Sequence, residues 1–187
     1  MTVFPLADPT PLPVFDPAAG QAVERLVFAL ERPQDAPVVD DLIDRAFGPG
    51  RFAKTAERLR EGNRLRADLS ICAWDGDRLA GAVRLWPIMI GEARVLFLGP
   101  FAVDDAWRNQ GLGRTLIRRA GALADAAGEL AILLVGDAAY FGPLGYDRVP
   151  RGRVVLPGPV DPARVMWRAG PGGPPDLSGP VRIAPEG

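Results

Sequence analysis

The sequence predicts an α/β chain of the α+β kind, with one mixed central sheet of about seven strands and helices on both of its faces. Three observations carry this. An antiparallel meander runs through 69–103, with Asp75-Gly76-Asp77 and Gly91-Glu92 at its turns. A strand–turn–helix–strand unit follows over 94–135, and its last strand, 130–135 (LAILLV), is almost wholly apolar, as suits a buried strand parallel to its neighbour. Helical patterns precede the meander. Antiparallel pairing followed by a parallel crossover implies a mixed sheet covered on both sides.

The elements follow in order. Residues 1–22 carry Pro5, Pro9, Pro11, Pro13 and Pro17 and read as a proline-rich N-terminal arm. A first strand is expected over 24–31. Across 36–47 the apolar residues Val38, Val39, Leu42, Ile43, Ala46 and Phe47 recur at helical spacing, and Gly48 marks the stop. A second short helix is expected over 53–61, closed by Gly62-Asn63. Strands at 69–74, 79–90 and 94–103 make the meander. The helix over 113–127 has an apolar stripe of Leu116, Ile117, Ala120, Leu123, Ala124 and Ala127, and Gly128 ends it. After the strand at 130–135, a short helix or turn is expected near 138–142, then strands at 153–156 and 163–168. The domain is thus read as 23–169, with 170–187 a Gly/Pro-rich C-terminal tail. Within that tail, 176–184 can be an added edge strand, a cover over a substrate cleft, or disordered chain.

Composition excludes several function classes. The chain has 187 residues, 48% apolar and 24% charged, which suits one domain with a sizeable core. A net charge of -1 argues against a general nucleic-acid or anionic-membrane binder. There is no histidine and one cysteine, Cys72, so no Cys/His metal cluster, Ser-His-Asp triad or disulfide is expected. The N-terminus lacks the basic and apolar regions of a signal peptide, and no run of ~18 apolar residues is present to span a bilayer. The expectation is a cytoplasmic protein.

The most informative segment is Arg108-Asn109-Gln110-Gly111-Leu112-Gly113-Arg114, between a strand and a helix. Glycines allow positive φ and close approach of a ligand. The first amides of the helix lack internal acceptors and sit at the positive end of its dipole, so the turn is suited to a pyrophosphate. Arg108 and Arg114 add positive charge. A second glycine pattern, Gly48-Pro49-Gly50 with Ala53, follows a helix rather than a strand, so a dinucleotide-binding reading fails on context.

The turn resembles the Q/R-x-x-G-x-G/A signature of the GCN5-related N-acetyltransferase (GNAT) superfamily, with Arg108, Gly111 and Gly113 at its fixed places. The preceding LGPFAV run and the downstream LAILLVGD–AAYFGPLGY segment, 130–146, are similar to the family's companions of that turn, and the resemblance spans roughly 24–150. It implies acetyl-CoA as cosubstrate and no metal. It implies that the strand before the turn splays from the next parallel strand. It further implies backbone contacts from Phe101, Ala102 and Val103 to the pantetheine, and amide contacts from Asn109, Gln110, Gly111, Leu112, Gly113 and Arg114 to the pyrophosphate. Pro100 fits such a splay, since a proline cannot donate to a ladder. Dimers are common in the family, so a homodimer is one arrangement it allows.

Family members place a tyrosine, the acid for the leaving thiolate, five positions before the aromatic of a G-F pair. Here that position is Phe141, and Tyr140 stands beside it. Tyr140 serves as the acid only if the local backbone differs from the usual, because one helical residue turns a side chain by ~100°. No general base stands out. Asp104 and Asp105 read as loop or helix-approach acids, Glu92 as a hairpin residue, and Cys72 as a small core residue. Packing is the simpler role for Trp74, Trp86 and Trp107. Arg84 is expected either in solvent or at the acceptor side. The leading function is acetyl transfer to a primary amine of a small molecule or peptide. The alternatives are a non-catalytic acyl-CoA-binding or regulatory module, which Phe141 favours, and a purely structural protein.

Overall fold

The computed structural model describes residues 23–50, 55–173 and 176–185. The proline-rich arm at 1–22 lies outside them. Its strands are β1 (Val27–Leu30), β2 (Ile71–Asp75), β3 (Arg78–Ile90), β4 (Ala93–Val103), β5 (Ala131–Val135), β6 (Asp147–Arg148), β7 (Val154–Val155), β8 (Val165–Ala169) and β9 (Gly179–Ile183). Its helices are α1 (Ala36–Phe47), α2 (Leu112–Ala126) and α3 (Ala138–Phe141). The strands run in the order β1-β2-β3-β4-β5-β8-β6; β9 pairs with β3 and β7 with β9. All these pairs are antiparallel except β4–β5 and β7–β9.

Side chains alternate across the sheet, and the two faces take different helices. Ile71 and Ala73 of β2 pack with Leu112 and Leu116 of α2. Cys72 between them faces the other way, with Val39, Leu42 and Ile43 of α1. Helices therefore cover both faces, as the element order predicts. The parallel β4–β5 crossover is made by α2, whose Leu116, Ile117, Ala120 and Ala124 are buried as the stripe requires.

Two expectations are corrected, and one left open is decided. The first strand starts at Val27, because 23–25 form a 3₁₀ turn whose Val23 is buried. The second short helix reduces, among the described residues, to a 3₁₀ turn at Glu57–Leu59; residues 53 and 54 of that expectation lie outside them. That turn buries Leu59 alone, and one anchor does not make the apolar stripe that stabilises a short helix. Of the three readings of 176–184, the structure takes the added strand. β9 pairs Val181 with Ile90 and Ile183 with Ile88, and Leu177 and Val181 enter the core.

Two buried ion clusters fasten α1 to the sheet. The Arg84 guanidinium donates to both Glu31 oxygens at 2.6–3.0 Å and to Asp40 of α1 at 2.6 Å. Arg84 thus faces neither solvent nor an acceptor, contrary to both sequence expectations. Asp104 is a buried cap: it accepts from the Ala106 amide and pairs with Arg45 of α1 at 3.1 Å and Arg78 at 2.8 Å. Burial alone would push its carboxyl up, but Arg45, the Ala106 amide and Arg78 together hold it below the usual value. A carboxyl depressed on folding stabilises above its unfolded pKa of ~3.9 and loses that contribution as pH falls through the folded value. We therefore expect Asp104→Asn to lower the melting temperature at pH 7, with the gap to wild type closing below about pH 4. A gap independent of pH would contradict it.

Candidate active site

β4 and β5 pair over only two positions, Leu96 with Ile132 and Phe97 with Leu133. Both strands continue, to Val103 and Val135, but the ladder between them does not. A bulge on β4 sits where they part: Leu85 faces Leu98 and Val83 faces Phe101, so Gly99 and Pro100 stand opposite Arg84 alone. Pro100, without an N–H, belongs at such a break. Trp86 on β3 donates its indole N–H to the Gly99 carbonyl at 2.6 Å and holds the bulge in place.

β4 leads through a 3₁₀ turn at Asp105–Trp107 into α2. Asn109 (φ 60°) and Gly111 (φ 89°) both lie in the left-handed region, and Gly111 caps α2. That geometry frees the first amides of the helix to face outward. Leu112 is fully buried, so its contribution to a ligand is its amide alone. Arg108 is paired with Asp105 at 2.8 Å, and the Gln110 side-chain Nε2 donates to the Ala106 carbonyl at 2.7 Å. Arg114 is exposed and has no partner among the described residues. A bare cation at the positive end of a helix is electrostatically unfavourable unless an anion joins it.

Phe101 and Val103 pack on the α2 side of the sheet, while Ala102 faces α1. Tyr140 of α3 stacks on Phe101 at 5.9 Å between centroids. A Cβ on Gly113 would stand 2.5 Å from the Tyr140 hydroxyl and 3.2 Å from the Phe101 ring. The hydroxyl thus lies against the first turn of α2, beside the outward amides. Burial raises its pKa, partly offset by Arg114. Phe141 instead points across Gly136 to the point where the strands part, edge-on to Tyr140 and to the buried Tyr146.

A cleft of about 520 Å³ opens where the strands part, lined by Leu98 to Phe101 of β4 and Leu134 to Asp137 at and just after the end of β5. Its walls are apolar, including Phe97, Val135 and Val160. Phe47, at the exposed end of α1, also lines it. The charges at its edges come from Arg60, Asp137, Asp161 and Arg164. Arg60 pairs with Glu57 at 2.7 Å. Asp137 and Asp161 cap the turns that follow them through backbone amides. The loop carrying Val160 and Asp161 is tied to the 55–58 turn: Arg58 donates to the Pro157 carbonyl at 2.6 Å, and the Thr55 hydroxyl to that of Pro159.

The structure therefore brings Phe101–Val103, 108–114 and Tyr140 into one neighbourhood. Other candidates fall outside it. Asp104 is spent on Arg45 and Arg78. Glu92 pairs with Arg182 at the far hairpin. Cys72 is fully buried, and burial pushes its thiol up, away from a reactive thiolate. Trp107 is in the core. No group of three or more His, Cys, Asp or Glu that could hold a metal occurs among the described residues, and none of their helices is long and apolar enough to cross a membrane. Sequence reasoning missed the cleft edge. Asp137 had a legible signal, an Asp immediately before a helix start; the loop at 157–161 had none.

Comparison with known proteins agrees with this geometry. The model of the acetyltransferase (GNAT) family matches residues 37–139. An Escherichia coli K12 protein, the uncharacterized N-acetyltransferase YhbS, is 30% identical over 124 residues, covering 65% of this chain and 74% of that one. A crystal structure of Escherichia coli YhbS in complex with CoA superposes with a TM-score of 0.72 at 26% identity, over 91% of this chain and 93% of that one. A GNAT-family acetyltransferase from Brucella melitensis in complex with acetyl-CoA gives a TM-score of 0.60 at 25% identity, over 85% and 96%.

Proposed function

The chain belongs to the acetyltransferase (GNAT) family, and on that premise we propose that it moves an acetyl group from acetyl-CoA directly to a primary amine. The observation that carries this is the two-position β4–β5 ladder, which leaves open strand edges leading straight to the α2 amides. The unpaired Arg114 and the free amides of the first turn of α2 fit an anionic cofactor at that helix end. On this reading Phe101, Ala102 and Val103 offer backbone groups to the pantetheine. The amides from Asn109 to Arg114 hold the pyrophosphate, and Arg108 and Arg114 supply charge.

Acetyl-CoA supplies an activated thioester: a neutral amine attacks its carbonyl carbon, the C–S bond breaks, and sulfur leaves as thiolate while the amine proton passes to water. The protein's part is chiefly positioning, which supplies about 7–11 kcal/mol when both reactants are held in line. The absence of a tyrosine at Phe141 is tolerable on these magnitudes. A thiol of pKa ~8.5 is about 1.5 units above pH 7, so an unassisted thiolate costs only about 2 kcal/mol. A lysine-type amine at ~10.4 costs about 4.6 kcal/mol to make neutral. The harder demand thus falls on the amine, and Asp137 and Asp161 are the carboxylates that line the cleft.

Tyr140, the sequence candidate for the acid, is assigned here to hold the cofactor, because its hydroxyl lies at Gly113 and not at the end of the splay. Tyr140→Phe should raise the acetyl-CoA KM about tenfold, the worth of one hydrogen bond to a charged group, with kcat little changed. A fall in kcat of about 10²–10⁴-fold with the basic limb of the pH profile altered would make it the acid instead. The function as a whole is tested by following thiol release from acetyl-CoA against a panel of primary amines. Amine-dependent release by the wild type supports it. Binding of CoA without release for any amine would favour the non-catalytic alternative.

A further inference from the structure

We propose that the acceptor is an amino-acid-like zwitterion with an apolar body, its carboxylate held by Arg164 beside Arg60 and its amine end drawn to Asp137 and Asp161. The proposal rests on the acetyl-transfer reading of the same cleft. Three features carry it. First, the cleft displays both signs of charge without neutralising itself. Asp161 and Arg164 share one turn, yet they form no ion pair, and Asp137 forms none either among the described residues. Second, the Arg164 guanidinium has no hydrogen-bond or ion-pair partner among the described residues, although its own backbone is fixed by the Gly136 amide and by Asp161. It is a donor fork on an anchored turn, suited to a carboxylate. Third, Arg60 is nearly buried and reaches the β4 bulge: its Nη1 lies 3.8 Å from where a Gly99 Cβ would stand. Glu57 orients it, so a second cation lines the cleft. The apolar walls between these charges, Phe97, Val135 and Val160, suit a hydrocarbon or aromatic side chain.

A bare amine would meet the carboxylates but leave Arg164 without an anion. The test uses matched pairs, L-phenylalanine with phenethylamine and L-leucine with isoamylamine, scored by thiol release from acetyl-CoA. Wild type should favour the carboxylate-bearing member by at least about tenfold in kcat/KM. Arg164→Ala should erase that preference through the acceptor KM, with the acetyl-CoA KM unmoved, and Arg164→Lys should restore part of it. A second reading needs no turnover: N-acetyl-L-phenylalanine should bind the CoA-saturated wild type in calorimetry and fail to bind Arg164→Ala. Equal or better use of the decarboxylated amines would overturn the proposal. So would an Arg164→Ala defect shared by both members of a pair, or absence of both L-phenylalanine turnover and N-acetyl-L-phenylalanine binding in a protein that acetylates other amines. If CoA binds and no amine is acetylated, the underlying acetyl-transfer reading has failed and the acceptor proposal falls with it.

Discussion

Gly113→Trp is expected to weaken acetyl-CoA binding by at least about 100-fold. The cause is local. Even a methyl group at Gly113 would reach the Tyr140 hydroxyl and the Phe101 ring, so an indole must push both aside, disturbing the end of β4 and the first turn of α2 that are proposed to face the cofactor. Losing two charge-assisted hydrogen bonds at about 1.5–3 kcal/mol each amounts to roughly 10²–10⁴-fold. Phe101 and Tyr140 are themselves only partly buried and can yield to the new side chain, and far-UV circular dichroism like that of wild type checks that the variant stays folded. Calorimetric titration of acetyl-CoA checks the affinity. A folded variant that binds as wild type does would move the cofactor away from this turn.

Arg84→Met should have the largest effect on stability. Glu31 has 2% of its side chain exposed and takes three of its contacts from Arg84. Removing the guanidinium leaves a buried carboxylate with no compensating charge, a change that costs about 3–5 kcal/mol. For a chain of this size that is roughly 6–20 °C in Tm. The companion Glu31→Leu/Arg84→Met should recover much of the loss, since removing both partners lifts the desolvation penalty. Thermal unfolding followed by circular dichroism measures both. If Arg84→Met melts within about 1 °C of wild type, the cluster contributes nothing to holding α1 on the sheet.

Much of the fold was legible because its signals are local. The turns at Asp75-Gly76-Asp77 and Gly91-Glu92 and the stripe of α2 are written in short stretches of sequence, and the structure follows them. What was not legible depends on distant partners. β6, at Asp147–Arg148, is two exposed polar residues that become a strand only because β8 offers an edge. β9 sits in a Gly/Pro-rich stretch and is strand because Val181 and Leu177 find the β3 side of the core. Arg84 is a charge amid apolar neighbours, and its pairing needs Glu31 and Asp40, 53 and 44 positions away.

The turn proposed to hold the cofactor was legible from Arg108, Gly111 and Gly113, whereas the cleft was not. Its edge is assembled from the end of α1, the 55–60 turn and the 157–164 loop, segments with no shared spacing. Phe47 looked like the last residue of a core stripe. It is 42% exposed because the helix ends there, at the rim of the cleft. Asp104 read as a loop or helix-approach acid; it does cap the turn that follows it, and it is buried because Arg45 and Arg78 converge on it from two other elements.

The most direct measurement is calorimetric titration of acetyl-CoA into the wild-type protein. One saturable site per chain, with Kd in the range of about 1 μM to 1 mM ordinary for a substrate, is the predicted result. A well-folded protein giving no binding heat and no acetyl-CoA-dependent rise in Tm at millimolar ligand would contradict the account, because open strand edges and bare helix amides would then serve no cofactor.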